Sequence, residues 1–390
     1  MILKKLPLIL AGSTLMFFSS CIQDEPLNAE CDIIDVDSVW MNANKPILIG
    51  SPIITNTNVS FNIKKGTDRT QLNPKFHLTP GAQLTMNENG ISIDANGATR
   101  NFSSPQIYTT ISEDGHWKKD YTVSFNYPQP ITLCSFEHYE LDASKRYQVW
   151  YEIDRDDEAN PRRDYWANGN GGFALTGMGK TPTDYPTSAI VNGYKGNGIK
   201  LETRSTGSFG VGVKMPIAAG SIFIGEFRAS QAMLFPLKAT RFGLQLVGGK
   251  PLELTGYYKY TAGDVFTDKQ QNVHPSRRDT CDIYAVLFEV DPNKVETLDG
   301  ANVLNSDRIV SMARIDNPGE PQEWTKFTEP FRPMNGKKFE ESRLRNDGYA
   351  ITIVATSSRQ GAFFEGAVGS VLYVDELKIV WEGDEKNIEI

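Results

Sequence analysis

The chain has 390 residues, a formal net charge of −8 and 11% aromatic residues, which suits two or three domains with sizeable cores. The acidic balance excludes the basic surface of a nucleic-acid-binding protein, so no nucleic-acid partner is expected. The four histidines lack the short spacing of a zinc site, and the sequence has no nucleophile elbow, phosphate loop or dinucleotide fingerprint.

The N-terminus has the order of features of an export signal. Lys4-Lys5 precede an apolar run from Leu6 to Phe18, which is shorter than the ~20 residues needed to cross a bilayer. Ser19-Ser20-Cys21 follows and resembles a lipobox, in which the cysteine is diacylated before cleavage. The sequence therefore predicts a lipoprotein signal peptide over residues 1–20, with lipidation at Cys21. An ordinary secretory signal with a chance cysteine is the alternative.

The segment after Cys21 predicts where the mature protein resides. Residues 21–31 form a tether, and the acidic stretch Gln23-Asp24-Glu25 resembles the surface-export signal of Bacteroidetes-type lipoproteins. A merely solvated tether is an equal alternative. Because several acyl chains anchor a protein stably, we expect an outer-membrane lipoprotein at the cell surface. Membrane contact is expected through the lipid anchor only, with other envelope proteins as candidate partners.

Three cysteines remain in the mature chain, and their number is odd. Cys31, Cys134 and Cys281 are far apart in sequence, without the close spacing of a zinc or redox motif. We therefore expect them to be small buried hydrophobic residues.

Residues 32–127 consist of short alternating segments such as Val59 to Ile63 and Tyr121 to Phe125, separated by turns such as Asn96-Gly97. This spacing predicts a small β-sandwich. The segment resembles the bacterial immunoglobulin-like domains near the anchor of such lipoproteins, at Pro74, Phe76, Leu78, Pro80-Gly81-Ala82, Phe102, Ser104-Pro105, Tyr108, Asp114-Gly115, Lys119, Tyr121 and Val123. The resemblance implies a spacer. The alternative is a second binding face that uses Trp117, although a lone tryptophan near a turn more often packs inward.

A proline-containing link, Tyr127-Pro128-Gln129-Pro130, predicts a boundary before a larger domain over residues 131–384. About ten strand-like segments with long loops between them favour a two-sheet jelly roll, so the predicted fold class is all-β. In the strand from Leu252 to Tyr260, the parity that contains Leu254 and Tyr258 should face the core. Tyr257 should then lie on the outer side.

The last strand changes phase. Leu372 and Val374 share one parity, whereas Leu377 and Ile379 share the other. The strand must therefore slip by one residue at Asp375-Glu376, which predicts a β-bulge.

The first and last segments of the larger domain resemble the terminal strands of jelly-roll carbohydrate-binding modules. The similar residues are Ser135-Phe136-Glu137 and Tyr373-Val374-Asp375-Glu376-Leu377. In many such modules these strands pair and hold a structural calcium ion. The resemblance implies that Glu137 and Asp375 are calcium ligands. The alternative is that they are ordinary surface residues, because acidic side chains are common at strand ends.

Residues 134–384 as a whole resemble the family named putative carbohydrate metabolism domain, found in envelope lipoproteins of glycan-feeding gut anaerobes. The residues that carry the resemblance are Gly196-Asn197-Gly198, Leu201-Glu202-Thr203, Gly220 to Gly225, Gly256 to Tyr260, Asp282 to Glu289, Thr356-Ser357-Ser358, Gly361, Phe364 to Ala367 and Gly369 to Asp375. What the resemblance implies is a carbohydrate substrate class without a mechanism.

Glycan binding is the function we expect, with an oligo- or polysaccharide as the partner. Exposed rings would stack on sugars and polar side chains would bind the hydroxyl groups. The candidate rings are Trp166, Tyr194, Tyr257 and Trp150, and the candidate polar partners are Arg241, Lys259 and Asp282. Trp166 lies in a Gly- and Asn-rich segment that predicts an exposed loop, although it could instead fold back as a plug over the sandwich.

Two alternatives stay open. A glycoside hydrolase would need two carboxylates on either side of the scissile bond, and Glu226, Glu253, Asp282 and Glu289 lie on predicted strands. Alternation alone does not make any two of them converge. A structural or adhesive surface protein is the other alternative.

Overall fold

The computed structural model of the chain describes residues 27–63, 67–88, 90–126, 133–153, 161–163, 165–244, 247–292, 294 and 296–384. The predicted signal peptide, Cys21 and the proline-containing link at 127–130 lie outside the described residues, so these predictions and the domain bounds built on them stay predictions. In the described part of the chain, no helix has the length and apolar character needed to cross a bilayer.

The N-terminal elements lie between residues 33 and 126. They are β1 (Ile33–Val36), α1 (Ser38–Asn44), β2 (Leu48–Ile54), β3 (Asn58–Ile63), β4 (Phe76–Leu78), β5 (Gln83–Glu88), β6 (Ile91–Asp94), β7 (Gln106–Ile111) and β8 (Lys118–Asn126). Sheet I has the order β2-β3-β8-β7-β5-β6, with β3 and β8 parallel and the other neighbours antiparallel. A separate pair is formed by β1 and β4.

An aromatic core holds this N-terminal part together. Phe61 of β3 stacks on Phe125 of β8 with ring centroids 4.4 Å apart, and Trp40 of α1 meets Phe61 edge-on at 5.4 Å. The Asp37 side chain accepts the Trp40 main-chain N–H at 2.8 Å, so it caps the helix that carries this tryptophan. Trp117, in contrast, is 61% exposed, so the expectation that it packs inward is wrong.

The C-terminal elements lie between residues 133 and 381. They are β9 (Leu133–Cys134), β10 (Tyr139–Leu141), β11 (Gln148–Trp150), β12 (Trp166–Ala167), α2 (Asn170–Ala174), β13 (Thr187–Ile190), β14 (Gly198–Glu202), β15 (Arg204–Ser205), α3 (Gly207–Gly212), β16 (Ile217–Ala218), β17 (Ser221–Phe227), α4 (Pro236–Ala239), β18 (Thr240–Phe242), β19 (Pro251–Thr261), β20 (Phe266–Thr267), β21 (Asp282–Glu289), β22 (Leu298–Asp299), β23 (Ile309–Arg314), β24 (Thr325–Pro330), β25 (Arg332–Pro333), α5 (Glu341–Leu344), β26 (Tyr349–Thr356), β27 (Gly366–Ala367) and β28 (Val371–Trp381). Short 3₁₀ helices occur at Pro182–Asp184, Ala229–Gln231 and Gly361–Phe363.

Two packed sheets form the larger C-terminal fold, as the jelly-roll prediction requires. Sheet II has the order β22-β18-β17-β26-β21-β23-β25, with β12 beside β17. Sheet III has the order β13-β14-β28-β19-β24, with β9 beside β28. Their inner faces share one hydrophobic core, to which β19 contributes Leu254 and Tyr258 and β21 contributes Ile283 and Leu287. The all-β prediction is confirmed.

The predicted bulge in β28 is present. Thr255 of β19 pairs with Lys378, whereas Tyr257 pairs with Asp375, so Glu376 and Leu377 together oppose Gly256. Glu376 has a φ of 50°, in the left-handed region. The inward side chains change from the parity of Val374 to that of Leu377, as predicted.

The three described cysteines, Cys31, Cys134 and Cys281, are free and buried, which confirms their predicted role as small core residues.

Candidate functional site

The outer face of sheet III carries a row of alternating cationic and aromatic side chains. Lys200 of β14, Tyr373 of β28 and Lys259 of β19 are register partners across three adjacent strands. Trp324, just before β24, extends the row on the far side of Lys259. The Lys259 Nζ lies 4.9 Å from the centroid of the Trp324 ring and 5.0 Å from that of the Tyr373 ring. The ammonium group is therefore held between two aromatic faces by cation–π attraction.

A second pair of rings lies beside this row. Tyr194, from the loop between β13 and β14, stacks flat on Tyr257 with centroids 3.5 Å apart and an interplanar angle of 9°. Trp324 meets Tyr194 edge-on at 6.4 Å. Tyr194 is 46% exposed, and Tyr257, Trp324 and Tyr373 are half-buried. We call these four rings together with Lys259 the aromatic face.

Two carboxylates hold the loop that carries Tyr194. The Asp375 Oδ2 accepts the main-chain N–H of Lys195 at 2.9 Å, and Glu137 accepts that of Asn197 at 3.1 Å. Gly196 has a φ of +66°, and a Cβ there would overlap the Glu137 carboxylate. Glycine is therefore required at this position for the loop to approach Glu137 so closely.

Asp375 is fully buried beneath this loop. Burial raises the pKa of Asp375 to about 6, and hydrogen bonds from the main-chain N–H groups of Lys195 and Glu376 oppose that rise. Desolvation is thus the stronger effect on this carboxyl group.

The predicted calcium ligands lie on either side of one loop. Glu137 and Asp375 both contact residues 193–197, and a Cβ on Gly193 would touch both Asp375 Oδ2 and the Asn197 main-chain oxygen. The carboxylate oxygens of Glu137 and Asp375 and the main-chain oxygen of Asn197 are hard ligands of the kind that calcium prefers. Across the described ranges, however, no group of three His, Cys, Asp or Glu side chains is arranged to hold a metal ion. A calcium site here would need further oxygen ligands, such as main-chain carbonyl groups.

The structure brings three of the sequence-predicted ligand residues together, namely Tyr194, Tyr257 and Lys259. It adds Tyr373 and Trp324, which sequence reasoning missed. Tyr373 alternates with the buried Leu372 and Val374, so the parity argument that placed Tyr257 outside could have found it. Trp324 has no such signal, because the sequence pattern does not indicate a strand at β24.

The expectation that Trp166 is an exposed ring is wrong. Trp166 lies in β12, paired with Ile224, and is 6% exposed. Its Nε1 donates to Glu152 Oε1 at 2.7 Å, and its ring packs 5.2 Å from that of Phe136. The alternative interpretation, a ring folded onto the sandwich, describes this geometry. Trp150 is also buried, at 2% exposure.

Arg241 and Asp282 do not join the aromatic face, so their expected partnership with these rings is wrong. Both lie on sheet II, where Arg241 donates to Glu226 at 3.0 Å and Asp282 accepts from Arg314 at 2.8 and 2.6 Å. Burial raises the pKa of Asp282, and the bound Arg314 opposes that rise. These charged pairs support sheet II.

Asp282 is too far from Glu226 and from Glu289 to form a catalytic pair with either. Asp282 of β21 and Ser221 of β17 both pair with Thr356, so they lie at one level of sheet II. Glu226 is five residues further along β17, which is about 17 Å, and Glu289 is seven residues along β21, which is about 23 Å. Glu253 lies on sheet III. Glycosidase carboxylates are only about 5 to 9.5 Å apart.

The outer face of sheet II contains a cavity of about 240 Å³. Its walls are mostly apolar and include Phe173, Phe209, Phe227 and Phe363. Among the described residues that line it, Asp282 is the only carboxylate, and it is bound by Arg314. The described part of its lining therefore does not contain the carboxylate pair of a glycosidase.

Comparison with known proteins agrees with the sequence resemblance. Residues 135–380 match the family described as putative carbohydrate metabolism domain. The chain belongs to this family. Residues 48–125 match a second family, described as SGBP, N-terminal. All five residues of the aromatic face lie within the first matched segment.

Two solved structures from the genus Bacteroides are similar to this chain. The crystal structure of a putative glycoside hydrolase from Bacteroides thetaiotaomicron VPI-5482 is 41% identical, with a TM-score of 0.81, over 92% of this chain and 99% of that one. The structure of a putative glycoside hydrolase from Bacteroides vulgatus ATCC 8482 is 38% identical, with a TM-score of 0.59, over 65% of this chain and 100% of that one. No curated protein matches the chain.

Proposed function

We propose that this chain binds glycans through the aromatic face of sheet III, in polysaccharide capture or utilisation at the cell envelope. The observation that carries the proposal is the accessible stack of Tyr194 on Tyr257 beside Trp324. The C–H faces of sugar rings pack on such aromatic surfaces, while nearby polar groups bind hydroxyls. Membership of a carbohydrate-metabolism family supports the same ligand class.

Exposure of these rings also argues for a ligand. The inner face of sheet III buries its apolar residues in the shared core, so the outward rings are not needed to close the sandwich. A contiguous aromatic patch on an accessible surface is typical of a binding site. The proposal therefore accounts for rings that the fold itself does not use.

A glycan array followed by calorimetry on the positive glycans tests the proposal. We expect Trp324→Ala and Tyr257→Ala each to weaken binding about tenfold, because a stacked ring contributes about 1.5 kcal/mol. Trp117→Ala is the matched control, since it removes an exposed tryptophan from the N-terminal part. Binding that survives both ring removals but is lost in Trp117→Ala would instead favour the N-terminal face. If the folded protein binds none of the arrayed glycans, a structural or adhesive role is favoured.

We further propose that a structural calcium ion is held where the first and last strands of the larger fold meet. Glu137 and Asp375 would bind through their carboxylates and Asn197 through its main-chain oxygen. A cation there would offset the burial of the Asp375 carboxylate, whose pKa is raised to about 6. Calcium should then raise the melting temperature of the chelator-treated protein, and Glu137→Gln should reduce the rise. An unchanged melting curve after chelation and calcium addition would contradict this proposal.

Anchoring at the outer membrane through Cys21 is also a proposal. Mass spectrometry of the mature N-terminus should find an acylated Cys21, and Cys21→Ser should release the protein from the membrane fraction. Protease treatment of intact cells distinguishes surface exposure from an inward-facing anchor. A mature chain that is unacylated at Cys21 would support the ordinary secretory signal.

Glycoside hydrolysis is the second candidate, because both solved relatives are described as putative glycoside hydrolases. The strand positions argue against a catalytic pair of Asp282 with Glu226 or with Glu289. Release of reducing ends from a bound glycan, followed over time, would support hydrolysis. Binding without such release supports the glycan-binding proposal.

A further inference from the structure

The aromatic face carries positive charge although the chain as a whole is acidic, with a formal net charge of −8. Lys200 and Lys259 lie in the first row with Tyr373 between them. Lys326 is the register partner of Tyr257, and Lys378 pairs with Thr255 on the same side of sheet III. Because directly paired residues in antiparallel strands share a face, these lysines surround the rings.

Lys259 occupies the centre of this surface. Its ammonium group lies about equally far from the Trp324 and Tyr373 rings, at 4.9 and 5.0 Å. Within the part of the chain that the structure describes, no carboxylate forms an ion pair with Lys259. The rings orient the side chain but do not neutralise its charge. A full positive charge is therefore held between two rings of the aromatic face.

The acidic residues nearby do not cancel this charge. Glu202 is engaged by both Lys200, at 2.6 Å, and Arg204, at 2.9 Å. Asp375 is fully buried beneath the loop that carries Tyr194, where it accepts the main-chain N–H groups of Lys195 and Glu376. Glu376 at the bulge contributes one half-exposed carboxylate.

Glu253 is on the same strand as Lys259 but at its other end. It lies six residues away along β19, which corresponds to about 20 Å. Lys259 therefore contributes a positive charge to this surface that no described carboxylate neutralises.

We propose that the glycan bound by the aromatic face is anionic, with carboxylate or sulfate groups on its sugar units. This inference rests on the proposed function and adds the chemical class of the ligand. A sugar ring stacked on Trp324 or Tyr373 has Lys259 within reach of its substituents.

Matched polymers separate charge from sugar identity in the test. Polygalacturonate is compared with its methyl ester, which has the same backbone without the carboxylate charge, and dextran sulfate is compared with dextran. Kd is measured by calorimetry at about 50 mM and about 500 mM NaCl, because salt screens exposed charges. We expect the charged member of at least one pair to bind about tenfold more tightly at low salt and to lose most of that advantage at high salt.

Lys259→Met tests the residue at the centre. Methionine keeps an unbranched apolar stem between the rings and removes the charge, so we expect the preference for the charged polymer to fall about fivefold. Lys118→Met, which removes an exposed lysine from β8, is the control and should leave the preference unchanged. The salt series on the unaltered protein gives an independent result if Lys259→Met folds poorly.

The outcomes separate the two proposals. Tight, salt-sensitive binding of a charged polymer that depends on Lys259 supports the inference, and the two polymer pairs show whether carboxylate or sulfate is recognised. Equal binding of charged and neutral members, with loss in Trp324→Ala, overturns the inference and leaves glycan binding in place. Failure of every polymer and every arrayed glycan to bind overturns both.

Discussion

The outer faces of sheets II and III have opposite characters although the two sheets share one core. In β19 of sheet III, buried and half-exposed residues alternate, and the outward positions include Tyr257 and Lys259. In β21 of sheet II, the residues from Asp282 to Phe288 are all buried. The outward side chains of sheet II pack in a second cluster that includes Phe242, Phe288 and Leu298, together with Val303.

This difference distinguishes a surface that the fold needs from one that a ligand can use. In a strand that is buried on both faces, the outward side chains pack against other residues of the protein. In a strand in which buried and exposed residues alternate, the outward side chains are accessible. Aromatic residues on the polar phase of an alternating strand are therefore the stronger indication of a binding face. The apolar cavity on sheet II lies among packing residues and, in the described part of its lining, has one carboxylate.

Phe288→Ala should have the largest effect on stability. Phe288 is fully buried in the outer cluster of sheet II, and its truncation should lower the free energy of unfolding by about 4 kcal/mol. Urea denaturation gives this value, and glycan Kd measured well below the melting temperature should not change. Tyr257→Ala is the counterpart on sheet III and should cost less than about 1 kcal/mol in stability while it weakens binding. Equal stability losses in the two variants would remove the distinction between the faces.

Asp282→Asn should have the next largest effect. It removes the carboxylate bound by Arg314 and leaves a partly buried guanidinium uncompensated, at a cost of about 3 kcal/mol. Thermal and urea unfolding measure the loss. If Asp282 supports sheet II only, glycan affinity stays unchanged at temperatures where the variant is folded. Lost affinity with intact stability would restore Asp282 as a ligand residue.

The sequence predicted the parts of the fold that depend on alternation within one strand. The outward position of Tyr257 and the bulge at Asp375-Glu376 follow from local parity, and both are present. The site required more than parity, because Trp324 reaches Lys259 only through the pairing of β24 with β19. Such pairing between distant segments leaves no local pattern.

The error on Trp166 has a different physical cause. A segment rich in Gly and Asn predicts an exposed loop because asparagine is costly to bury without partners. Here Asn170 is fully buried, and its side chain donates to the Thr187 main-chain oxygen at 2.8 Å and accepts the Thr187 N–H at 3.1 Å. The asparagine thus fastens the segment to β13. Composition does not reveal such compensation.

The buried Asp375 beneath the open face should make stability depend on pH. Its folded pKa of about 6 exceeds the unfolded value of 3.8, so the folded state binds the proton more tightly. The stabilisation by the bound proton is then full below about pH 4, falls as the pH rises from about 4 to about 6, and is lost above that. The free energy of unfolding changes by about 2 to 3 kcal/mol in total.

Urea unfolding at several pH values, in the presence of a chelator, measures this dependence. Between about pH 4 and about pH 6 the free energy of unfolding should fall less, or rise more, in Asp375→Asn than in the unaltered protein. The change with pH is the informative quantity, because the asparagine NH2 group would face one of the two N–H groups, of Lys195 or Glu376, that the carboxylate accepts, and this lowers stability at every pH. An unchanged slope would show that Asp375 does not titrate in this window.

Gly196→Ala should have the smallest effect on binding and still distinguish the two faces, because it moves a ring without removing one. The left-handed backbone of Gly196 costs alanine about 1 kcal/mol, and the added Cβ would overlap Glu137, so the loop that carries Tyr194 must shift. Gly177→Ala is the matched control, since Gly177 has a φ of +68° and open space around it. Gly196→Ala should lose at least as much stability in urea as Gly177→Ala, and only Gly196→Ala should weaken glycan binding, by about threefold. Equal affinities in the two variants would show that the position of Tyr194 on Tyr257 does not matter for the ligand, and Trp324 and Tyr373 would then define the face.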